Sequence, residues 1–293
     1  MGFGLLAGVL WALDTVVLSK ALSFYEALLI APLVAAFLHD TCSFVYLTFY
    51  HGWKKGIKKA VRVLRSKQGL WIVLASILGG PLGMSGYVSA IFFMGPSYTA
   101  AFSSLYPAFG ALMAVVLFKE KLTRKQVFGM FVALGGVVAL SMTPSDSIRN
   151  FPLGLGCALL CMVCWGLEGL LAQQGMKKET ISSDQALWMR QGVSALGYGL
   201  VIMNLISGWE LAETMVVQHH IGWIALAALS GTASYLCYYH ALHQIGSTKA
   251  MPLNITYVAW SIGLSFLILG AVPSGREVLF ALVVLCGAIL SAS

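Results

Sequence analysis

Ten apolar stretches follow one another along the chain, at 3–20, 27–50, 69–94, 97–118, 123–143, 153–174, 182–206, 219–243, 247–269 and 274–291. Each approaches the roughly 20 residues an α-helix needs to cross a bilayer core. The turns between them are short and polar. The pattern predicts an all-α integral membrane protein of ten transmembrane helices with little structure outside the bilayer. Pro107, directly after Tyr106, should break or bend the fourth span, because proline removes a helical hydrogen bond. Pro252 falls in a related place in the ninth.

Composition agrees with a lipid solvent. Of the 293 residues, 59% are hydrophobic and 10% charged, and the mean hydropathy is +0.84. A soluble domain has about 25% charged residues, so a soluble globular domain and a disordered chain are excluded. A nucleic-acid partner is not expected either, despite the net charge of +7. The six cysteines all lie in apolar stretches and read as small buried hydrophobes. Cys161-x-x-Cys164 has no second pair and no nearby histidine, so neither a metal nor another cofactor is expected.

The Lys and Arg residues give an orientation. Fourteen of them flank the even-numbered connections, and Lys20, Arg149 and Arg276 alone flank the odd ones. Basic residues stay on the cytoplasmic side, so both termini are expected there. Residues 51–68 place Trp53, Ile57, Val61 and Leu64 at helical spacing among lysines and arginines. That reads as an amphipathic helix on the anionic membrane surface, or as a solvated basic loop.

The chain also repeats itself. Trp11-Ala-Leu-Asp14 matches Trp165-Gly-Leu-Glu168, and at a constant offset Tyr87 meets Tyr238, Gly95 meets Gly246 and Tyr106 meets Tyr257. Two five-helix units follow, 1–143 and 152–291. Because five is odd, the second unit enters the membrane in the opposite sense. Inverted repeats suit alternating access, with the substrate site near the midplane.

Ionisable residues inside a membrane are costly and mark pathways or sites. The spans hold Asp14, His39, Asp40, Glu168, Arg190 and His240. Glu168 shares a helix face with Trp165. Trp11, Tyr87, Tyr106, Tyr235, Tyr238, Tyr239, Tyr257 and Trp260 lie in spans expected at the repeat interface, with Gln191 and Asn254 as neutral polar groups. A carboxylate ringed by aromatic faces suits a quaternary ammonium, which has no N–H to donate and is held by cation–π attraction worth roughly 2 kcal/mol when desolvated. Helix packing with Glu168 protonated or paired to Arg190 is the rival reading. Asp14 lines the same cavity, closes a gate, or faces an outer cleft. His39 and Asp40 lie about 100° apart on a helix and so should not simply pair with each other. They are candidates to carry a coupling proton, or part of a buried network. His240 reads as structural.

These residues resemble a known family. Ten helices in two repeats, with Phe118-Lys-Glu-Lys-Leu-Thr123 after the fourth span, resemble the EamA-like members of the drug/metabolite transporter superfamily. Leu38-His39-Asp40, Gly80-Pro81-Leu82-Gly83-Met84, Leu105-Tyr106-Pro107-Ala108, Trp165-Gly-Leu-Glu168, Arg190-Gln191, Tyr235-Leu-Cys-Tyr238-Tyr239 and Asn254-Ile-Thr-Tyr257-Val-Ala-Trp260 are similar to the LicB-type bacterial choline transporters. The resemblance implies proton-coupled choline import across the bacterial cytoplasmic membrane, by a monomer or weak dimer. It implies Trp165, Glu168, Tyr238, Tyr257 and Trp260 around the ammonium head, with Gln191 and Asn254 near the hydroxyl. His39 and Asp40, joined by Asp14 and Glu168, become proton-coupling candidates. Asp14 departs from the family's pattern. Export of amino acids or related metabolites is the alternative, with Arg190 as the carboxylate partner. A membrane enzyme or a non-transporting sensor is a third reading, but no nucleophile–base pair or phosphate loop supports an enzyme.

Overall fold

The computed structural model describes residues 1–25, 28–53, 57–141, 148–177 and 181–293. Among them it is all-helical. In chain order the helices are α1 (Gly2–Leu22), α2 (Ala31–Trp53), α3 (Ile57–Leu64), α4 (Lys67–Ile77), α5 (Gly83–Met94), α6 (Pro96–Ser103), α7 (Tyr106–Phe118) and α8 (Arg124–Ser141). They continue as α9 (Phe151–Met176), α10 (Ser183–Gly197), α11 (Met203–Leu205), α12 (Trp209–Val217), α13 (Ile221–Ile245), α14 (Ser247–Asn254), α15 (Tyr257–Leu269) and α16 (Gly275–Ala292).

Nine helical spans among the described residues are long and apolar enough to cross a membrane, three of them built from two consecutive helices: α4 with α5, α6 with α7, and α14 with α15. The tenth, Ser183–Leu205, reaches that standard only together with α12, from which it is bent by 114°. Its shortfall has a physical reason. This helix carries Gln185, Arg190, Gln191 and Ser194, all buried, so its polarity faces the protein and not the lipid. The expected continuous span at 182–206 is thus a helix with a π-helical turn at Tyr198–Ile202, followed by a sharp corner.

Two further spans are broken where proline predicts. Backbone regularity lapses at Ser104–Leu105 before α7, whose first turn holds Pro107. It lapses again at Ile255–Thr256, after α14 with its internal Pro252. The two breaks share their backbone. Gly95 (φ 83, ψ 163) and Gly246 (φ 78, ψ 164) open α6 and α14, each of 8 residues. These angles are open to glycine and not to side chains that carry a Cβ. α7 and α15 each run for 13 residues, ending in left-handed Lys119 and Gly270. α8 and α16 each run for 18.

The helices pack as a bundle, with α1 along α13, α5 along α9, and α8 along α16. The last pair approaches closely: a Cβ on Gly129 would lie 2.8 Å from the Gly287 carbonyl oxygen. Small residues at such crossings replace the hydrophobic drive that lipid cannot supply. The expected helix over 51–68 is realised only as Ile57–Leu64. α2 runs through Trp53, which is 92% exposed, and Lys54 to Gly56 lie outside the described residues. The cysteines are free, and among them only Cys161 and Cys164 are buried. Cys286 is exposed, because α16 turns one face away from the bundle.

Candidate transport site

A cavity of about 370 Å³ lies between α1, α2, α5, α7, α9, α10, α13, α14 and α15. One wall is aromatic. Trp165 stacks on Tyr87 with ring centroids 5.4 Å apart, and Tyr106 meets its edge at 6.0 Å. Trp11 stands edge-on to Tyr235 at 5.0 Å and to Tyr257 at 6.5 Å. Tyr238 completes the set. The Trp165 ring is fixed from behind. Between α4 and α5 the helix widens into a π-helical turn, Leu78–Leu82, over Gly79, Gly80 and Pro81. The wider turn presents the Gly79 carbonyl, which accepts a hydrogen bond from Trp165 Nε1 at 3.2 Å. π-bulges recur at functional sites for this reason.

The other wall is a chain of ionisable side chains. Asp14 Oδ1 lies 3.1 Å from His39 Nε2, and His39 Nδ1 lies 3.3 Å from Asp40 Oδ1. Asp40 Oδ2 accepts from Arg190 Nη1 at 3.1 Å and from Ser194 Oγ at 2.6 Å. Arg190 Nε donates to Glu168 Oε1 at 3.1 Å, and Nη2 to the Tyr235 hydroxyl at 3.0 Å. All five ionisable residues are buried. Buried charge of this kind is tolerated when it is paired. Two glycines make the room: a Cβ on Gly79 would overlap the Glu168 carboxylate, and one on Gly231 would lie 2.7 Å from His39 Nε2. With its carboxylates ionised, the cavity-lining set of Asp14, Asp40, Glu168 and Arg190 carries −2 when His39 is neutral and −1 when it is protonated.

The structure brings together Trp11, Tyr87, Tyr106, Trp165, Glu168, Tyr238, Asn254 and Tyr257 around this cavity, with Asp14, His39 and Asp40. Asn254 Nδ2 donates to the Tyr106 hydroxyl at 3.4 Å. Two expected residues lie elsewhere. Trp260 is 37% exposed, one turn beyond Tyr257 on the outer face of α15. Gln191 is buried behind Arg190 and accepts from its Nη1 at 2.7 Å. His39 and Asp40 do touch, contrary to the helical-wheel expectation, because both side chains turn into one cleft. His240 packs on Phe3, with ring centroids 4.4 Å apart, and does not line the cavity. Sequence reasoning missed Ser194, Tyr198 and the Arg190–Asp40 bridge. The only signal for the bridge was the cost of a lone arginine in an apolar stretch.

The cavity has unlike ends. It runs along α1 past Ser19 to Leu22, and shares Ser19, Leu22 and Pro32 with a second hollow of about 280 Å³. The other end, near Lys119, Lys121 and Lys177, is tied shut. Gln173 Nε2 donates to Glu120 Oε1 at 3.2 Å, and Gln173 Oε1 accepts from the Ser247 backbone N–H at 2.7 Å. Between α10 and α2, Trp188 Nε1 donates to Thr48 Oγ1 at 2.9 Å. Among the described residues no group of three His, Cys, Asp or Glu side chains is arranged to hold a metal ion.

A bundle of membrane-length helices around a buried, charged and aromatic chamber defines a multi-pass membrane protein built to admit a small molecule. The EamA-like transporter family profile matches residues 1–142 and 152–293. The chain belongs to that family, and it is a transporter and not an enzyme. It is 33% identical to Protein LicB of Haemophilus influenzae, over 91% of this chain and 88% of that protein. It is 27% identical to the uncharacterized transporter YyaM of Bacillus subtilis, covering 74% of this chain and 73% of that one. It is 24% identical to the riboflavin transporter ImpX of Fusobacterium nucleatum, covering 96% and 93%. One solved crystal structure shares the fold, with a TM-score of 0.73 at 19% identity over 99% of this chain and 95% of that one.

Proposed function

We propose that this transporter imports choline, or a close quaternary ammonium, by alternating access. The observation that carries the reading is the pairing of a Trp165–Tyr87–Tyr106 aromatic wall with Glu168 in one buried cavity, whose ionisable set is net negative when its carboxylates are ionised. Aromatic faces replace the hydration of an ion that cannot donate hydrogen bonds, and the surplus carboxylate charge balances it. The resemblance of its motifs to the LicB-type choline transporters, together with the 33% identity to Protein LicB, supports this reading. Asn254 and Tyr106 receive the hydroxyl end.

On this reading, residues 1–143 and 152–291 are inverted five-helix repeats that exchange conformations about the cavity. Both termini and the basic connections face the cytoplasm of a bacterial inner membrane. The tied end is then the cytoplasmic gate, and the α1–α2 end is the outer mouth. The Asp14–His39–Asp40 chain carries the coupling proton. A potential of 100 mV, inside negative, already favours one entering cation by about 2.3 kcal/mol, so the proton adds concentrating power. Amino-acid export is disfavoured because Arg190, the needed carboxylate partner, is held by Glu168 and Asp40.

The test is uptake of labelled choline into inside-negative proteoliposomes, with and without an inward proton gradient. Uptake that the gradient accelerates and that His39→Gln makes insensitive to it is expected. Absence of choline flux alongside amino-acid flux overturns the reading.

A further inference from the structure

The Glu168 carboxylate on which choline binding relies is already engaged, by Arg190 Nε at 3.1 Å. A carboxylate shared with a guanidinium is a poorer counter-charge for a ligand. Arg190, however, does not depend on Glu168. Its Nη1 is held by Asp40 Oδ2 at 3.1 Å and by Gln191 Oε1 at 2.7 Å. Its Nη2 donates to the Tyr235 hydroxyl, and the guanidinium carbon lies 4.6 Å from the Tyr235 ring centroid. Asp40 is itself steadied by Ser194. These contacts survive if Arg190 releases Glu168. What holds Arg190 is also what would hold an ammonium ion: a carboxylate and an aromatic face.

We propose that Arg190 is a positioning residue that stands in for the substrate cation. It neutralises Glu168 while the cavity is empty, and an ammonium ion seated between Trp165 and Glu168 displaces it onto Asp40. The inference rests on the cation reading of the cavity and adds two consequences. Substrate and Arg190 compete for one carboxylate, so Arg190 weakens binding. Arg190 also lets the empty carrier return across the membrane without an unpaired Glu168 charge.

The competition is read by a double-mutant cycle on the purified full-length protein. Tetramethylammonium is titrated against the fluorescence of the cavity tryptophans in the wild type, Arg190→Gln, Glu168→Gln and the double variant. Arg190→Gln is expected to tighten Kd about tenfold when Glu168 is present, and by less than about twofold when it is replaced. Equal tightening in both backgrounds means a general field effect of one cation, and overturns the proposal. So does unchanged or weaker binding by Arg190→Gln. If that variant does not fold, Arg190→Lys takes its place. An ammonium point charge cannot span two carboxylates as a guanidinium does, so binding about threefold tighter is expected. Unchanged or weaker binding by the lysine variant overturns the proposal equally.

The return step has its own readout. Arg190→Gln, or Arg190→Lys in its place, should keep choline–choline exchange while net uptake falls about tenfold, because the conformational change then favours the loaded carrier. Equal loss of both overturns that part. A wild type that binds no small quaternary ammonium overturns the choline reading and this inference with it. A wild type that binds while the Arg190 variants leave Kd unmoved overturns this inference alone.

Discussion

The two ends of the cavity are built from corresponding elements and finished differently. At the basic end, Gln173 of α9 ties Glu120, just past α7, to the first N–H of α14. In the other half of the chain the corresponding sequence positions hold Ser19, which lines the open end, Ala271 and Pro96. Ser19 bonds its own helix, through Oγ to the Val16 carbonyl. Ala271 has no carboxylate, and Pro96 has no N–H to donate. The first end is latched, and the second continues into a surface hollow. Nearly equal backbones therefore need not give equal gates. On the alternating-access reading proposed above, these three side-chain choices set which gate is closed in the substrate-free chain.

Building the missing latch at the open end should have the largest effect. Ser19→Gln with Ala271→Glu supplies the amide and the carboxylate, and choline uptake is expected to fall about tenfold as the mouth loses about 1.4 kcal/mol of its bias to open. Unchanged uptake would show that the ends do not act as alternatives. Breaking the existing latch comes next. Gln173→Leu strands the Ser247 N–H and one Glu120 oxygen, a loss of about 1–3 kcal/mol. Thermal unfolding should occur at a lower temperature, and an unchanged unfolding temperature would show that the latch bears no load.

A third prediction contrasts the two tryptophans of the aromatic motifs. Trp165→Leu should weaken choline binding about thirtyfold, the loss of roughly 2 kcal/mol of desolvated cation–π attraction. Trp260→Leu should change it less than about twofold, since that ring lies on the outer face of α15. Uptake KM for each variant decides this.

That contrast also marks how far the sequence could be read. Spans, breaks at Pro107 and Pro252, and the paired motifs around Trp11 and Trp165 follow from apolar length, proline chemistry and self-similarity. Azimuth does not. In water an aromatic residue on an apolar face points inward, but in lipid both faces of a helix are apolar. Trp165 and Trp260 therefore look alike on paper. The pairing of Arg190 with Glu168 was open to a sequence reading, but the Arg190–Asp40 bridge was hidden for a different reason. Its two residues come from α10 and α2, far apart in the chain, and only packing brings them within 3.1 Å. The sequence pattern ends the seventh span at 206 and leaves 209–217 in the connection, where the structure has the short helix α12, bent by 114° from that span.

The central claim is that the cavity recognises positive charge by aromatic faces and a carboxylate, and not merely apolar shape. Its most direct test is competition against labelled choline uptake by choline itself and by 3,3-dimethylbutan-1-ol, which has the same shape with carbon in place of the charged nitrogen. The account predicts that choline competes about thirtyfold more strongly or better, the worth of roughly 2 kcal/mol. Equal competition by the uncharged alcohol would contradict it.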